Sequence, residues 1–272
     1  RAGAKLKREL DVLLKSRRTF RSGKELTANC VMICPSVLCP APRHHENLLR
    51  FTSTSQTSIF NTLLQTNVDT KGKVNYISLK NNEALLDNYL IYLNNTIPTK
   101  EWSLNKQKAF WINAYNSYTI KIILNNYPLK SITNIENDGR TAWKTPFVKV
   151  GEKTYTLDYI EHEILRKKFN DPRIHVGINC ASVSCPKLGN IAFTEDNVEA
   201  SLENLMKEFI NDVAKNKISE GKVEVSEIFK WFKTDFTTDG SMIDYIKKYS
   251  DVKISKKAKI KYLPYNWNLN EK

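Results

Sequence analysis

The chain has 272 residues, 41% of them hydrophobic and 10% aromatic, enough apolar mass for a substantial core and too much for a disordered protein. Forty-two Lys and Arg against 29 Asp and Glu leave a formal charge of +13, which raises the question of nucleic-acid or membrane-surface binding. No stretch approaches the ~20 consecutive apolar residues that a spanning helix needs, so no transmembrane segment is expected.

The charge is unevenly placed. Residues 1–50 carry 11 Lys and Arg against 4 Asp and Glu, whereas the other 222 carry 31 against 25. Seven of the ten arginines and none of the twelve tyrosines lie in those first fifty residues. This contrast marks residues 1–50 as a basic leader or linker, expected to be disordered and outside the fold, and residues 51–272 as the folded domain. The leader's apolar run CVMICPSVLCPAP is broken by Pro35, Pro40 and Pro42 and makes a poor signal-peptide core. Cys30, Cys34 and Cys39 followed by His44 and His45 lack the tight Cys-x-x-Cys knuckle of structural zinc, so no metal site is expected. The body keeps only Cys180 and Cys185.

Along the body, SIFNTLLQTNV reads as an amphipathic helix and DTKGKVNYISL as a glycine turn into a short strand. Helix LLDNYLIYLNN follows. The longest helical signal starts near Ser103, a suitable N-cap, and is stopped by Pro128. FVKVGEKTYTL reads as a hairpin turning at Gly151-Glu152, and TLDYIEHEILRKKF as a helix broken by Asp171-Pro172. The segment 195–218 reads as a long amphipathic helix, VEVSEIFKWFKTDF as a strand and then a helix capped by Ser226, SMIDYIKKYS as a helix, and KIKYLPYNWNLN as a closing strand. The fold class is α+β: a single helix-rich domain with a small, mainly antiparallel sheet, for which a papain-like arrangement is one fit.

Polar residues on apolar helix faces carry the next step. On the helix 156–169, Leu157, Ile160, Ile164 and Leu165 form a stripe with Glu161 in its middle and His162 at its edge. A carboxylate facing a core loses several kcal/mol of solvation unless it is paired, so Glu161 needs a partner, structural or catalytic. The helix after Ser103 is apolar nearly all round and therefore buried. It carries Asn113 and Asn116, which either satisfy neighbouring backbone or line a site.

In RIHVGINCASVSCPKL, residues 173–188, Ile174, Val176 and Ile178 alternate as on one face of a strand, placing His175, Gly177 and Asn179 on the other. Cys180 follows, where the chain turns. A thiol at a helical turn's N-terminus is acidified and its neighbouring amides can cradle an oxyanion. Cys180 is thus a candidate nucleophile, with two other readings open: a small buried hydrophobe, or a disulfide to Cys185. On a straight strand His175 and Cys180 would lie about 16 Å apart on opposite faces. They meet only if the chain bends at Gly177; otherwise His162 is the base.

The blocks AFWINAYNSYTIKIIL, YTLDYIEHEILR, DPRIHVGINCASVSCPKL, VSEIFKWFKTDF and YLPYNWNLN, in that order, resemble the DUF547 family, a domain of unknown function found in bacteria and in plant proteins. The resemblance covers residues 56–270. It implies an exported or envelope-associated protein, although no signal peptide is visible, and a cysteine-peptidase-like Glu–His–Cys arrangement on Glu161, His175 and Cys180, with His162 as the competing base. The expected activity is therefore a cysteine-dependent hydrolase, peptidase or amidase-like. Cys180 is the nucleophile, His175 the base and Glu161 the orienting acid, with binding contributions from Asn113, Asn116 and Asn179. This chemistry calls for no cofactor. Its partner is a peptide or small-molecule substrate. The alternative is a non-enzymatic ligand- or protein-binding module with a polar pocket at the same residues. A nucleic-acid reading draws on the leader and on KISKKAKIKY, but the body lacks aromatics interleaved with Gly-rich loops, so no specific nucleic-acid partner is expected.

Overall fold

The computed structural model describes residues 44–272, with side chains from residue 56 onward. The leader and its cysteines Cys30, Cys34 and Cys39, with the side chains of His44 and His45, lie outside the described residues. Helix α1 covers His44–Asn67 and runs through residue 50. After it, the carboxylate of Asp69 accepts the amides of Lys71 and Lys73 to close a turn. YISL then forms helix α2 (Tyr76–Asn81) rather than the expected strand, because the Asn75 side chain caps it through the Ser78 amide. Helix α3 spans Glu83–Asn94.

The long helix α4 (Leu104–Asn126) starts where its sequence indicates: the Ser103 hydroxyl accepts the Lys106 amide. Seventeen of its residues are buried, polar and apolar faces alike, which makes it the central strut of the domain. The two-residue strands β1 (Glu136–Asn137) and β2 (Arg140–Thr141) pair antiparallel, as do β3 (Val148–Val150) and β4 (Lys153–Tyr155), the hairpin expected at Gly151. Helix α5 is continuous through Leu157–Tyr159, Ile160–Arg166 and Lys167–Phe169, and its middle segment is π-helical.

The expected strand at 173–178 is instead one helical turn, α6 (Ile174–Gly177), after which Ile178 is extended. Helix α7 is Val198–Asn211. Strand β5 (Lys217–Ile218) pairs antiparallel with β6 (Lys222–Ser226), and β6 pairs parallel with β7 (Lys259–Leu263). The short helices α8 (Ile228–Trp231) and α9 (Lys233–Phe236) precede α10 (Met242–Tyr249), which a Ser241–Asp244 capping box starts. No described helix is long and apolar enough to cross a membrane.

Two apolar clusters divide the interior. One packs α1, α3 and α5 around α4, with Phe60, Tyr89, Ile112, Tyr115 and Leu157 among its members. The other joins Met206, Phe209, Val223, Val225, Phe229 and Ile246 around β6. Helix α7 serves both, through Val198 and Leu202 on one side and Met206, Phe209 and Ile210 on the other. The seam between the clusters is where the polar residues collect.

Candidate active site

An open pocket of about 130 Å³ sits on that seam. Tyr115 (α4), Glu161 (α5), His175 (α6), Cys180 and Cys185 supply its polar lining, and Trp143, Trp231, Phe232, Tyr265 and Trp267 its aromatic wall. Three of the four expected catalytic residues are therefore brought together. His162 is not: it is half-buried away from the pocket lining, its Nδ1 accepts from Arg166 Nη1 at 3.0 Å, and its Nε2 lies 3.4 Å from Asp158 Oδ1.

The bend that joins His175 to the pocket follows from local chemistry. The Asp171 carboxylate accepts the Arg173 amide at 3.0 Å, Pro172 suits a helix start, and the helical turn ends at Gly177. A Cβ at Gly177 would lie 2.7 Å from Leu202 Cδ2 and 3.2 Å from Ile112 Cδ1. Close helix packing favours glycine there, since any Cβ would force the Leu202 methyl to move, and its φ is not in the left-handed region. Asn116 holds the bend from α4: its Nδ2 donates to the Gly177 carbonyl at 2.8 Å and its Oδ1 accepts the Asn179 amide at 2.9 Å. Asn179 donates to the Pro186 carbonyl and accepts the Ala181 amide, both at 2.8 Å. Asn113 clamps Phe193 in the same two-handed way. These three amides bond backbone, and none of the three lines the pocket, which is where the oxyanion donation expected of Asn113 or Asn116 would be needed.

Cys180 does not head a helix. It lies on an extended segment that turns at Ala181 (φ +58°) and pairs at Ser182 with Leu269. Two hydroxyls stand beside its sulfur. Ser182 Oγ is 3.2 Å away and Tyr265 Oη 3.3 Å, and the Ser182 hydroxyl donates to Tyr265 at 3.0 Å. Cys180 and Cys185 are both free thiols, and the Cys180 amide donates to Cys185 Sγ at 3.2 Å. Hydrogen bonding from the Cys185 thiol pulls the Cys180 thiol below its ordinary range, and Ser182 and Tyr265 add to it against the cost of burial. Burial, and then the neighbouring Cys180, push Cys185 the other way, and the Cys185 thiol faces the Ile178 carbonyl at 4.0 Å. Lys215 anchors this loop by donating to the Cys185 carbonyl.

His175 is oriented by a carboxylate, and that carboxylate is Asp235 rather than Glu161. Asp235 Oδ2 lies 2.8 Å from His175 Nε2, and both Asp235 oxygens take hydrogen bonds from Arg166, at 2.6 and 2.7 Å. Burial alone would raise the Asp235 carboxyl, but Arg166 and His175 outweigh it and hold it far below the carboxylate range. An ionised carboxylate only accepts, so Nε2 carries the proton and Nδ1 the lone pair. Nδ1 makes no hydrogen bond among the described residues. Burial lowers the His175 pKa, with Asp235 pulling against it, and the ring stacks on Phe232 with centroids 4.0 Å apart. No hydrogen bond joins His175 to Cys180.

Glu161 is 9% exposed and takes one hydrogen bond, from Tyr115 Oη to Oε2 at 3.2 Å. Burial, and then the charge of Cys180, raise its pKa to about 7, while the Tyr115 hydrogen bond opposes them. The wheel located this buried acid, although its partner is a tyrosine and not the imidazole. Asp235 and Tyr265 escaped the sequence reading. The one available signal was an acid between the aromatics of WFKTDF and a phenol in the closing YNWNLN block. Among the described residues no group of three or more His, Cys, Asp or Glu could hold a metal ion.

Residues 99–210 match the family model described as "Protein of unknown function, DUF547". That span contains Tyr115, Glu161, His175, Cys180 and Cys185. Phe232, Asp235 and Tyr265, from the fourth and fifth blocks of the resemblance, lie beyond it. No curated protein and no solved structure matches the chain.

Proposed function

We propose that this chain, which matches the DUF547 family model over residues 99–210, is a cysteine-dependent hydrolase of amide or related acyl bonds. The observation that carries the reading is that one pocket is lined by Cys180, with two hydroxyls within 3.3 Å of its sulfur, and by His175, whose Nε2 is held by Asp235. In this reaction the Cys180 proton passes to His175 Nδ1, and the imidazolium is stabilised by Asp235 on Nε2. Sulfur attacks the carbonyl carbon, the C–N bond breaks, and the departing amine takes the proton from the imidazolium. Water then attacks the thioester, giving its proton to His175 and releasing the acid and the thiol. Catalytic hydrogen bonds are often long without substrate and tighten in the complex, which accommodates the unbonded His175–Cys180 pair.

A general acyl donor such as a p-nitrophenyl ester tests it, with the intact protein weighed after brief incubation. An acyl adduct on Cys180, absent in Cys180→Ala and long-lived in His175→Ala, is expected. Nitrophenol release that is the same in wild type and Cys180→Ala sinks the proposal. The binding-module reading has one observation in its favour: the Cys180 sulfur is bonded to Ser182 and Tyr265, not to a histidine. It predicts no adduct at all.

A further inference from the structure

The hydrolase reading leaves Glu161 without a task, and that is the oddest residue in the pocket. It is buried, its Oε1 makes no hydrogen bond among the described residues, and it forms no ion pair. Arg166, whose charge reaches it, commits its guanidinium to Asp235 and His162. A second acid, Cys180, adds to the negative charge and not to its relief. Around this uncompensated charge stands a wall of aromatic rings. Trp231 and Trp267 stack at 18° with centroids 5.8 Å apart, Tyr265 leans against both at 4.8 and 4.6 Å, and Trp143 meets Trp267 edge-on at 5.7 Å. Trp231 stays 43% exposed at the mouth. A buried carboxylate with one neutral hydrogen-bond partner and no ion pair, in a pocket lined by electron-rich rings, is complementary to an organic cation. The rim already holds one such contact, the Arg166 guanidinium 5.1 Å from the Phe232 centroid.

We propose that the pocket recognises a compact organic cation, a quaternary or protonated ammonium group, held against Glu161 by the rings of Trp143, Trp231, Tyr265 and Trp267. The size fits: a cavity of about 150 Å³ takes a benzene ring, and this one is about 130 Å³, enough for a tetramethylammonium-sized head and too small for a polymer segment. The inference rests on the hydrolase reading only in making the cation part of the substrate, so that the scissile carbonyl sits a few bonds from an ammonium nitrogen. Glu161 is then a binding residue.

The test is titration of the full chain at pH 8 with tetramethylammonium and choline, followed by tryptophan fluorescence. The neutral isostere 3,3-dimethyl-1-butanol is the comparison, with ionic strength held constant by sodium chloride. Saturable binding of both cations, at least about tenfold tighter than the alcohol, is expected, and bound choline should slow iodoacetamide labelling of Cys180. Glu161→Gln and Trp231→Leu should each weaken the cations about tenfold and leave the alcohol unchanged. The second change is at a half-exposed ring and probes the aromatic side of the site independently of the acid. Equal binding of cation and isostere, or cation binding unaffected by either substitution in folded protein, overturns the inference. Repeating the titration in Cys180→Ala separates the two ideas: retained cation binding beside absent acyl adducts would discard the hydrolase and keep the cation site.

Discussion

Replacing Glu161 by Gln should make the protein more stable, by an amount that grows as pH rises from about 4.5 to 7. Burial first, and the Cys180 charge second, hold the carboxyl at about 7 in place of its ordinary 4.5. A carboxyl whose folded pKa lies above its unfolded value keeps a proton that the unfolded chain has released. The fold therefore has its full stability below about pH 4.5 and loses it as pH rises through 7. At 1.36 kcal/mol per pH unit the loss is about 3 kcal/mol once both states are ionised. Glutamine has the same shape, can still accept from Tyr115 and carries no charge to desolvate. Urea unfolding of wild type and Glu161→Gln should give closely matched stabilities at pH 4 and a variant about 3 kcal/mol more stable at pH 8.5. The other titrating groups are common to both proteins and largely cancel. Cys180 adds in the same direction, because its thiolate is no longer repelled. A stability difference that does not change with pH, or a variant weaker at pH 8.5, would refute the argument by showing that the carboxylate has a counter-charge.

The remaining predictions concern the sulfur, the bend and the imidazole. The rate of Cys180 alkylation by iodoacetamide should titrate with a midpoint below the ~8.5 of a free thiol, and Cys185→Ala, which removes the largest lowering influence, should move it upward; a wild-type midpoint at 8.5 or higher counts against the thiolate. Gly177→Ala should cost about 1–3 kcal/mol in urea, since its Cβ would be driven to 2.7 Å from Leu202 Cδ2; an unmoved transition refutes the close-packing account. Asp235→Asn should push the His175 pKa further down as followed by imidazole NMR, because burial already lowers it and Asp235 is what opposes that. An unchanged titration would mean that the pair does not govern the ring.

What the sequence reveals about this site depends on how local each signal is. Glu161 and Asn116 stand out because a helical wheel shows a polar group inside an apolar stripe, and burial follows from spacing alone. Ser103 and Pro128 bound α4 within two residues because capping and proline chemistry act on the adjacent backbone. The turn at His175 is hidden for the opposite reason. Four helical residues are too few to show a 3.6-residue period, and Ile-x-Val-x-Ile mimics a strand, while the deciding contacts are Leu202, Ile112 and Asn116 in other helices. Asp235 is worse placed still, 60 residues from the imidazole it orients and in a four-residue helix. The parallel β6–β7 pairing, with its long intervening excursion through three helices, is equally invisible to local patterning.

The cost of these polar groups is itself informative. A seam between two apolar clusters would be most stable if filled by aliphatic side chains, as the cores on either side are. Here it holds a carboxyl with one neutral hydrogen bond, a thiol biased toward its anion and an imidazole with an unengaged Nδ1. Each of these leaves stability on the order of 1–3 kcal/mol unrealised. The neighbouring polar groups behave otherwise: Asn113, Asn116 and Asn179 satisfy their amides with backbone partners, and Lys108, Asp171, Arg173 and Glu199 interlock in ion pairs. Asn67 Oδ1 and Tyr245 Oη, elsewhere in the fold, are also buried without a hydrogen bond among the described residues; what the pocket adds is three titratable groups side by side. If the pocket binds as proposed, these groups would find their missing partners in the ligand, which is what the cation titration and the acyl-adduct assay test.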